Sequence, residues 1–254
     1  MMCERGVDAA CPGQPLVRAF DLAAVDHGAA RLLDPAEQAR AAAFVDRAAR
    51  QDFIAGRIVQ RSMAAEMLGS APQSLVAAYS CPDCGPNPSP SHGRPGYLLH
   101  GVRAELSISF SRSHGWAVAA MVPATGLPLG VDVQHIASVG FAGFDEVALS
   151  RSEKLRLAEV APKAQDAWRA AAWARKEALV KYSGLGLRMD PAGIPAFPER
   201  GLPGHACAEP GAAVRLCDVV PAEVGLPEGF AAAVAFGAVE LGKGAAGPQG
   251  GHQW

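Results

Sequence analysis

The stretch from Ala164 to Tyr182 reads as one long helix, and Ser183-Gly184 stops it, because glycine takes the left-handed turn after a helix end without steric cost. On this helix Trp173, Glu177 and Lys181 are spaced by four residues and stack along one face. As a plain surface pair, Glu177 and Lys181 would be worth only about 0.3–0.5 kcal/mol. Here the pair shares its face with a large aromatic. That places the charges at the edge of a buried surface or in a cleft, where an acid and a base can do work.

The remaining elements are a mixture of helices and strands. Asp34-Pro35-Ala36-Glu37 carries the signals of a helix start, and the pattern runs on towards Arg50. A second helix is expected over Asp52 to Leu68, where Ile54, Ile58, Ala65 and Leu68 recur at helical spacing and Arg57 and Arg61 project from one side. Cys81 to Pro95 is rich in proline, glycine and serine and reads as loop. Leu106 to Phe110 alternates apolar residues with serine, as a half-buried strand does. Trp116–Val122 and Leu129–Val133 follow as strands, with a turn around Pro123 to Pro128 between them. Ser150-Arg151-Ser152-Glu153 is a capping box ahead of a helix. Val214–Val220 and Phe230–Val239 read as strands separated by Pro221 and Pro227. The class is α+β. The turn divides the chain into an N-terminal half, residues 1–125, and a C-terminal half, residues 126–241, with a glycine-rich tail, 242–254, expected to be disordered.

Composition narrows the function classes. The chain has 254 residues, half of them hydrophobic and 19% charged, with a net charge of −2. That suits a globular protein with a real core, and it gives no global basicity for nucleic acid or an anionic membrane. No apolar run approaches the roughly 18 residues of a spanning helix. Met1 to Ala10 carries Glu4, Arg5 and Asp8 and does not read as a secretory signal, so the expected location is the cytoplasm. Six dispersed cysteines are no disulfide framework in a chain of this length. Only five lysines occur, so each is somewhat more informative than usual.

In Gly130-Val131-Asp132-Val133-Gln134, Asp132 and Gln134 are two apart and share a strand face. Two readings stand: a strand-end aspartate satisfying a turn, or an acid beside a neutral oxygen donor that holds a hard cation. Paired with Glu177 from the long helix, Asp132 supplies the second carboxylate of a magnesium site completed by phosphates and water. Lys181 would neutralise a phosphate. Arg57, Arg61, Arg94 and Arg112 are further cations for a phosphorylated donor, since guanidinium forks suit phosphate oxygens.

Gly-Val-Asp-Val-Gln, followed about forty residues later by Trp173-Ala174-Arg175-Lys176-Glu177-Ala178-Leu179-Val180-Lys181, resembles the paired signature of the 4′-phosphopantetheinyl transferases. The length and the extra N-terminal half resemble the monomeric surfactin-synthetase-activating class. Phe53 to Arg61 is similar to that class's first helix, His92-Gly93-Arg94-Pro95 to its Gly-Lys-Pro loop, and Ser109-Phe110-Ser111-Arg112-Ser113 to its Asn-x-Ser-His-Ser strand. The likeness spans Leu32 to Asp190. It implies two similar α/β halves related by a pseudo-twofold axis, with coenzyme A in the cleft between them. It implies magnesium on Asp132 and Glu177, with Gln134 where many members have a third acid. Lys181 would lie on the transferring phosphate, and Arg61, Arg94, Ser111 and Arg112 on the nucleotide end. The reaction implied is attack by a serine of an apo acyl or peptidyl carrier protein on the phosphorus attached to pantetheine, releasing 3′,5′-ADP. Glu177 or a water on the metal would take the serine proton. The carrier would belong to fatty-acid, polyketide or nonribosomal peptide synthesis, often in secondary metabolism, and the enzyme would act as a monomer.

Two other readings compete. Cys81-Pro82-Asp83-Cys84 with His92 is half of a zinc knuckle, and a zinc-loop binding module would use it, recruiting ligands such as His100, His205, Cys207 or Cys217. A relative with weak catalysis, retained as a coenzyme A or nucleotide binder, is the other. Gln134 in place of an acid keeps that reading open.

Overall fold

The computed structural model describes residues 14–81, 93–124, 126–184, 190–197 and 214–237. In chain order they form β1 (Leu16–Asp21), α1 (Pro35–Ala42), α2 (Arg47–Met67), β2 (Leu75–Ala77), β3 (Tyr97–Leu99), β4 (Val102–Arg103), β5 (Ser107–Ser113), β6 (Trp116–Val122) and β7 (Leu129–His135). Then come α3 (Phe144–Ala148), α4 (Arg151–Glu159), α5 (Gln165–Ser183), β8 (Val214–Val219), α6 (Pro221–Val224) and β9 (Phe230–Gly237). The strands make three antiparallel sheets, ordered β1-β6-β5, β2-β3-β4 and β7-β9-β8. The fold is thus α+β.

Local chemistry explains most boundaries. Asp34 accepts from the Glu37 amide at 2.9 Å while Glu37 accepts from the Asp34 amide at 3.2 Å, closing the capping box of α1. The helix expected to run on towards Arg50 stops at Ala42. Asp46 starts a new one by accepting from the Ala49 amide at 2.7 Å, so α2 begins earlier than Asp52. The Ser150–Glu153 capping box is present, and Gly184, with φ +75°, ends α5. β5 and β7 each extend past the expected strand ends, to Ser113 and His135. Strand β1 carries a weak signal in the sequence, yet pairs with β6 along its whole length.

Strand β6 is the spine of the core. Val118, Ala120 and Val122 on one face pack with Val131 and Val133 of β7 and Val234 and Phe236 of β9. Ala119 and Met121 on the other face join Met63 and Ala64 of α2 and Ile108 of β5. A strand buried on both faces needs an uninterrupted apolar run, and Trp116–Val122 is one. Full burial of each larger side chain contributes roughly 1.5–3 kcal/mol. The β1-β6-β5 sheet with α2 and the β7-β9-β8 sheet with α5 are therefore joined through apolar packing.

Gly130 sets the distance between α5 and β7. A Cβ there would lie 1.9 Å from the Ala178 carbonyl oxygen and 2.5 Å from the Tyr182 amide nitrogen. Only a residue without a side chain lets the helix backbone come so close to the strand. Among the described residues no helix is long and apolar enough to cross a membrane. Cys84, His92, His205, Cys207 and the tail from residue 242 lie outside the described residues; of the other zinc candidates Cys81 and His100 are described, and Cys217 is disulfide-bonded, which removes it as a thiolate ligand.

Candidate active site

Strands β5 and β7 lie side by side, but the ladders of their sheets run to other partners. Serine hydroxyls join them instead. Ser109 Oγ accepts from the Val131 amide at 2.9 Å, and Ser113 Oγ accepts from the His135 amide at 3.2 Å. Between them Ser111 Oγ donates to Asp132 Oδ1 at 2.6 Å. Three of the period-2 serines of β5 thus reach β7, and Ser111 holds Asp132, while Ser107 Oγ donates to the Ala124 carbonyl at 2.8 Å.

Asp132 is buried and receives three side-chain hydrogen bonds from three elements. Besides Ser111, Lys181 Nζ of α5 donates to Oδ1 at 2.7 Å, and Gln134 Nε2 of β7 donates to Oδ2 at 2.8 Å. Lys181 Nζ also reaches the Val131 carbonyl at 3.0 Å. Glu177, one turn back on α5, is half-buried. Burial pushes its carboxyl pKa up, the negative charge of Asp132 adds to the rise, and Lys181 opposes it. Asp132, Gln134, Glu177, Lys181 and Ser111 are therefore one constellation.

The carboxylates of Asp132 and Glu177 and the neutral amide of Gln134 are oxygen donors of the kind a magnesium ion takes. Such ions take one or two protein carboxylates and leave the remaining positions to phosphate oxygens and water. Among the described residues no group of three or more His, Cys, Asp or Glu is placed to hold a metal ion.

The arginines divide. Arg57 lies over the Phe53 and Tyr79 rings, at 4.9 and 4.3 Å, and donates to Gln60 Oε1 at 3.3 Å. Its pKa is lowered, by burial above all and by repulsion from Arg112. Arg112 is exposed, and its stem packs against Gly56 of α2, where a Cβ would come within 3.4 Å of its Cδ. The carboxylates of Glu37 and Asp34 act on Arg57 in the opposite sense to Arg112.

Arg61 is placed elsewhere. Its side chain is fully buried, paired with Asp34 and Glu37 and bonded to the Leu75 and Pro72 carbonyls. Burial works against its charge, but Glu37 beside it outweighs that and holds the guanidinium protonated. Arg94 turns to the C-terminal part of the chain, where Nη2 donates to the Tyr182 carbonyl at 2.7 Å.

Some features carried weak or no signal in the sequence. Lys176 lies in the same run as Glu177 but is buried, donating to Glu153 Oε2 at 2.6 Å and to the Pro191 carbonyl at 2.8 Å. It ties α5 to α4. His114 and His135, without an evident partner in the sequence, stack on one another at 4.4 Å. Trp173 is partly buried and meets Phe144 edge-on at 5.9 Å, in keeping with a packing role.

Residues 128–215 match the family model of the 4′-phosphopantetheinyl transferase superfamily. The match contains Asp132, Gln134, Glu177 and Lys181. No curated protein matches the chain.

Proposed function

We propose that the protein transfers the 4′-phosphopantetheine group of coenzyme A to a serine of an apo acyl or peptidyl carrier protein, with magnesium. The observation that carries this reading is the buried Asp132, held by Ser111, Gln134 and Lys181 opposite a Glu177 whose negative charge is disfavoured. The family match over residues 128–215 supports it.

Asp132 and Glu177 would hold the metal, with Gln134 Oε1 as a neutral oxygen ligand, and the ion would offset charge on the pyrophosphate. Lys181, already beside Asp132, would follow the transferring phosphate and stabilise the leaving oxygens. Arg57 and Arg112 would be the cations for the phosphates of the nucleotide end. Glu177, or a water held by the metal, would take the carrier serine proton. Serine oxygen then bonds to phosphorus, the bond to the pyrophosphate bridging oxygen breaks, and 3′,5′-ADP leaves with that oxygen. The two parts of the chain would form the cleft as related halves of a cytoplasmic monomer, in the manner of the surfactin-synthetase-activating class.

The test is intact mass spectrometry of an apo carrier protein incubated with the enzyme, coenzyme A and magnesium. The carrier should gain one phosphopantetheine group, and EDTA should abolish the gain. An unmodified carrier across fatty-acid, polyketide and peptide types would overturn the reading.

A further inference from the structure

Arg94 reaches the helix that carries Glu177 and Lys181. Its backbone is anchored to Ser80, by Arg94 N to Ser80 O at 2.8 Å and Ser80 N to Arg94 O at 3.0 Å. Gly93 before it has φ +93°, and a Cβ there would stand 2.5 Å from the Ser80 carbonyl oxygen, so glycine is required for the close approach. From this anchor Nη2 donates to the Tyr182 carbonyl at 2.7 Å. Tyr182 lies in the last turn of α5, where carbonyls lack helical partners and the helix dipole favours a cation. Arg94 Nε is buried without a hydrogen-bond partner among the described residues, so this edge of the guanidinium faces protein.

Gly184 makes room for the arrangement. A Cβ on it would lie 2.6 Å from Arg94 Nη2. The same turn of α5 sits on Gly130 of β7, where a Cβ would meet the Ala178 oxygen and the Tyr182 amide nitrogen. Lys181 lies within this clamped turn and reaches Asp132 from it.

We infer that Arg94 is a positioning residue, which clamps the last turn of α5 against β7 so that Lys181 and Glu177 stay in register with Asp132. This role rests on the transferase reading for its effect on rate, but not for the clamp itself. It predicts a loss in turnover and not in coenzyme A binding, the opposite of what a nucleotide-gripping arginine would show.

The experiment combines hydrogen exchange on the full chain with steady-state kinetics for Arg94→Ala, Arg94→Lys, Gly184→Ala and the Arg94→Ala/Gly184→Ala pair. Arg94→Ala should raise exchange by about tenfold or more in peptides covering the end of α5 and leave α2 unchanged. It should lower kcat by about tenfold with KM for coenzyme A within about twofold. Arg94→Lys, which keeps one donor, should recover part of both. Gly184→Ala meets Arg94 and also strains the left-handed turn at φ +75°, so in the double variant the first effect should vanish and the second remain. Unchanged exchange at α5, a uniform rise over all helices, or a large rise in KM at constant kcat would each overturn the clamp. If the wild-type protein modifies no carrier, the transferase reading fails, and the exchange data alone still decide whether Arg94 clamps α5.

Discussion

Lys181 donates to Asp132 Oδ1 at 2.7 Å across the packing of α5 on β7, so the helix cation and the strand acid form one unit. Lys181→Ala should therefore lower transfer by about 10²–10³-fold, the loss expected when a charge-stabilising donor is removed. Lys181 keeps 29% exposure but Asp132 only 4%, so the variant leaves a buried carboxylate short of its cation and should cost about 1–3 kcal/mol while staying folded on the remaining Ser111 and Gln134 bonds. Single-turnover kinetics beside a thermal melt check this, and full activity would remove Lys181 from the site.

Gly130→Ala tests the contact that brings the two elements together. A methyl group cannot occupy a point 1.9 Å from the Ala178 oxygen, so α5 must lift from β7. The expected cost is about 3 kcal/mol or more, with activity lost in the fraction that remains folded. Chemical denaturation gives the first number and carrier modification the second.

Arg61→Ala should act on stability and not on donor affinity. The substitution leaves Glu37 and Asp34 without their buried partner, which costs about 3–5 kcal/mol when a fully buried pair is broken. A melt that is hardly moved, together with a weakened KM for coenzyme A, would return Arg61 to the nucleotide.

The Glu153–Lys176 pair supplies a pH dependence with a definite sign. Burial raises the Glu153 pKa, but the bonds from Lys176, the Ser150 amide and the Ala196 amide outweigh it, so the net shift is down. A folded pKa below the unfolded one means stability that is present above about pH 4.5 and is lost as pH falls through the folded value. Glu153→Gln should flatten that acid limb and, by stranding the Lys176 charge, cost about 3–5 kcal/mol near neutral pH. Urea titrations of both proteins from neutral to acid pH measure the difference.

That Glu177 and Lys181 share a helix face, and Asp132 and Gln134 a strand face, was legible from spacings of four and two residues, but the bond from Lys181 to Asp132 was not. The capping boxes were legible because their bonds are local. The partners of Arg61 and Arg94 were not. Asp34 and Tyr182 are distant in sequence from the arginines they hold, and an arginine looks the same whether it meets phosphate or a carbonyl. The serine alternation in β5 showed a strand but not that its hydroxyls bond β7. Gly130 stood beside Asp132 in the motif, yet its reason is the helix backbone above it. The break at Ala43–Asp46 was hidden because no glycine or proline marks it, and the Asp46 cap decides it.

The serine contacts between β5 and β7 give that junction a different mechanical character from a sheet. A backbone ladder resists change as a set, because its bonds are coupled by strand geometry. Hydroxyl contacts can be exchanged one at a time for water or for a neighbouring acceptor, and each serine can be substituted without disturbing either ladder. The strength of the seam is thus adjustable independently of the folding of the sheets on either side, and one of its three bonds, from Ser111, ends on the acid at the centre of the site.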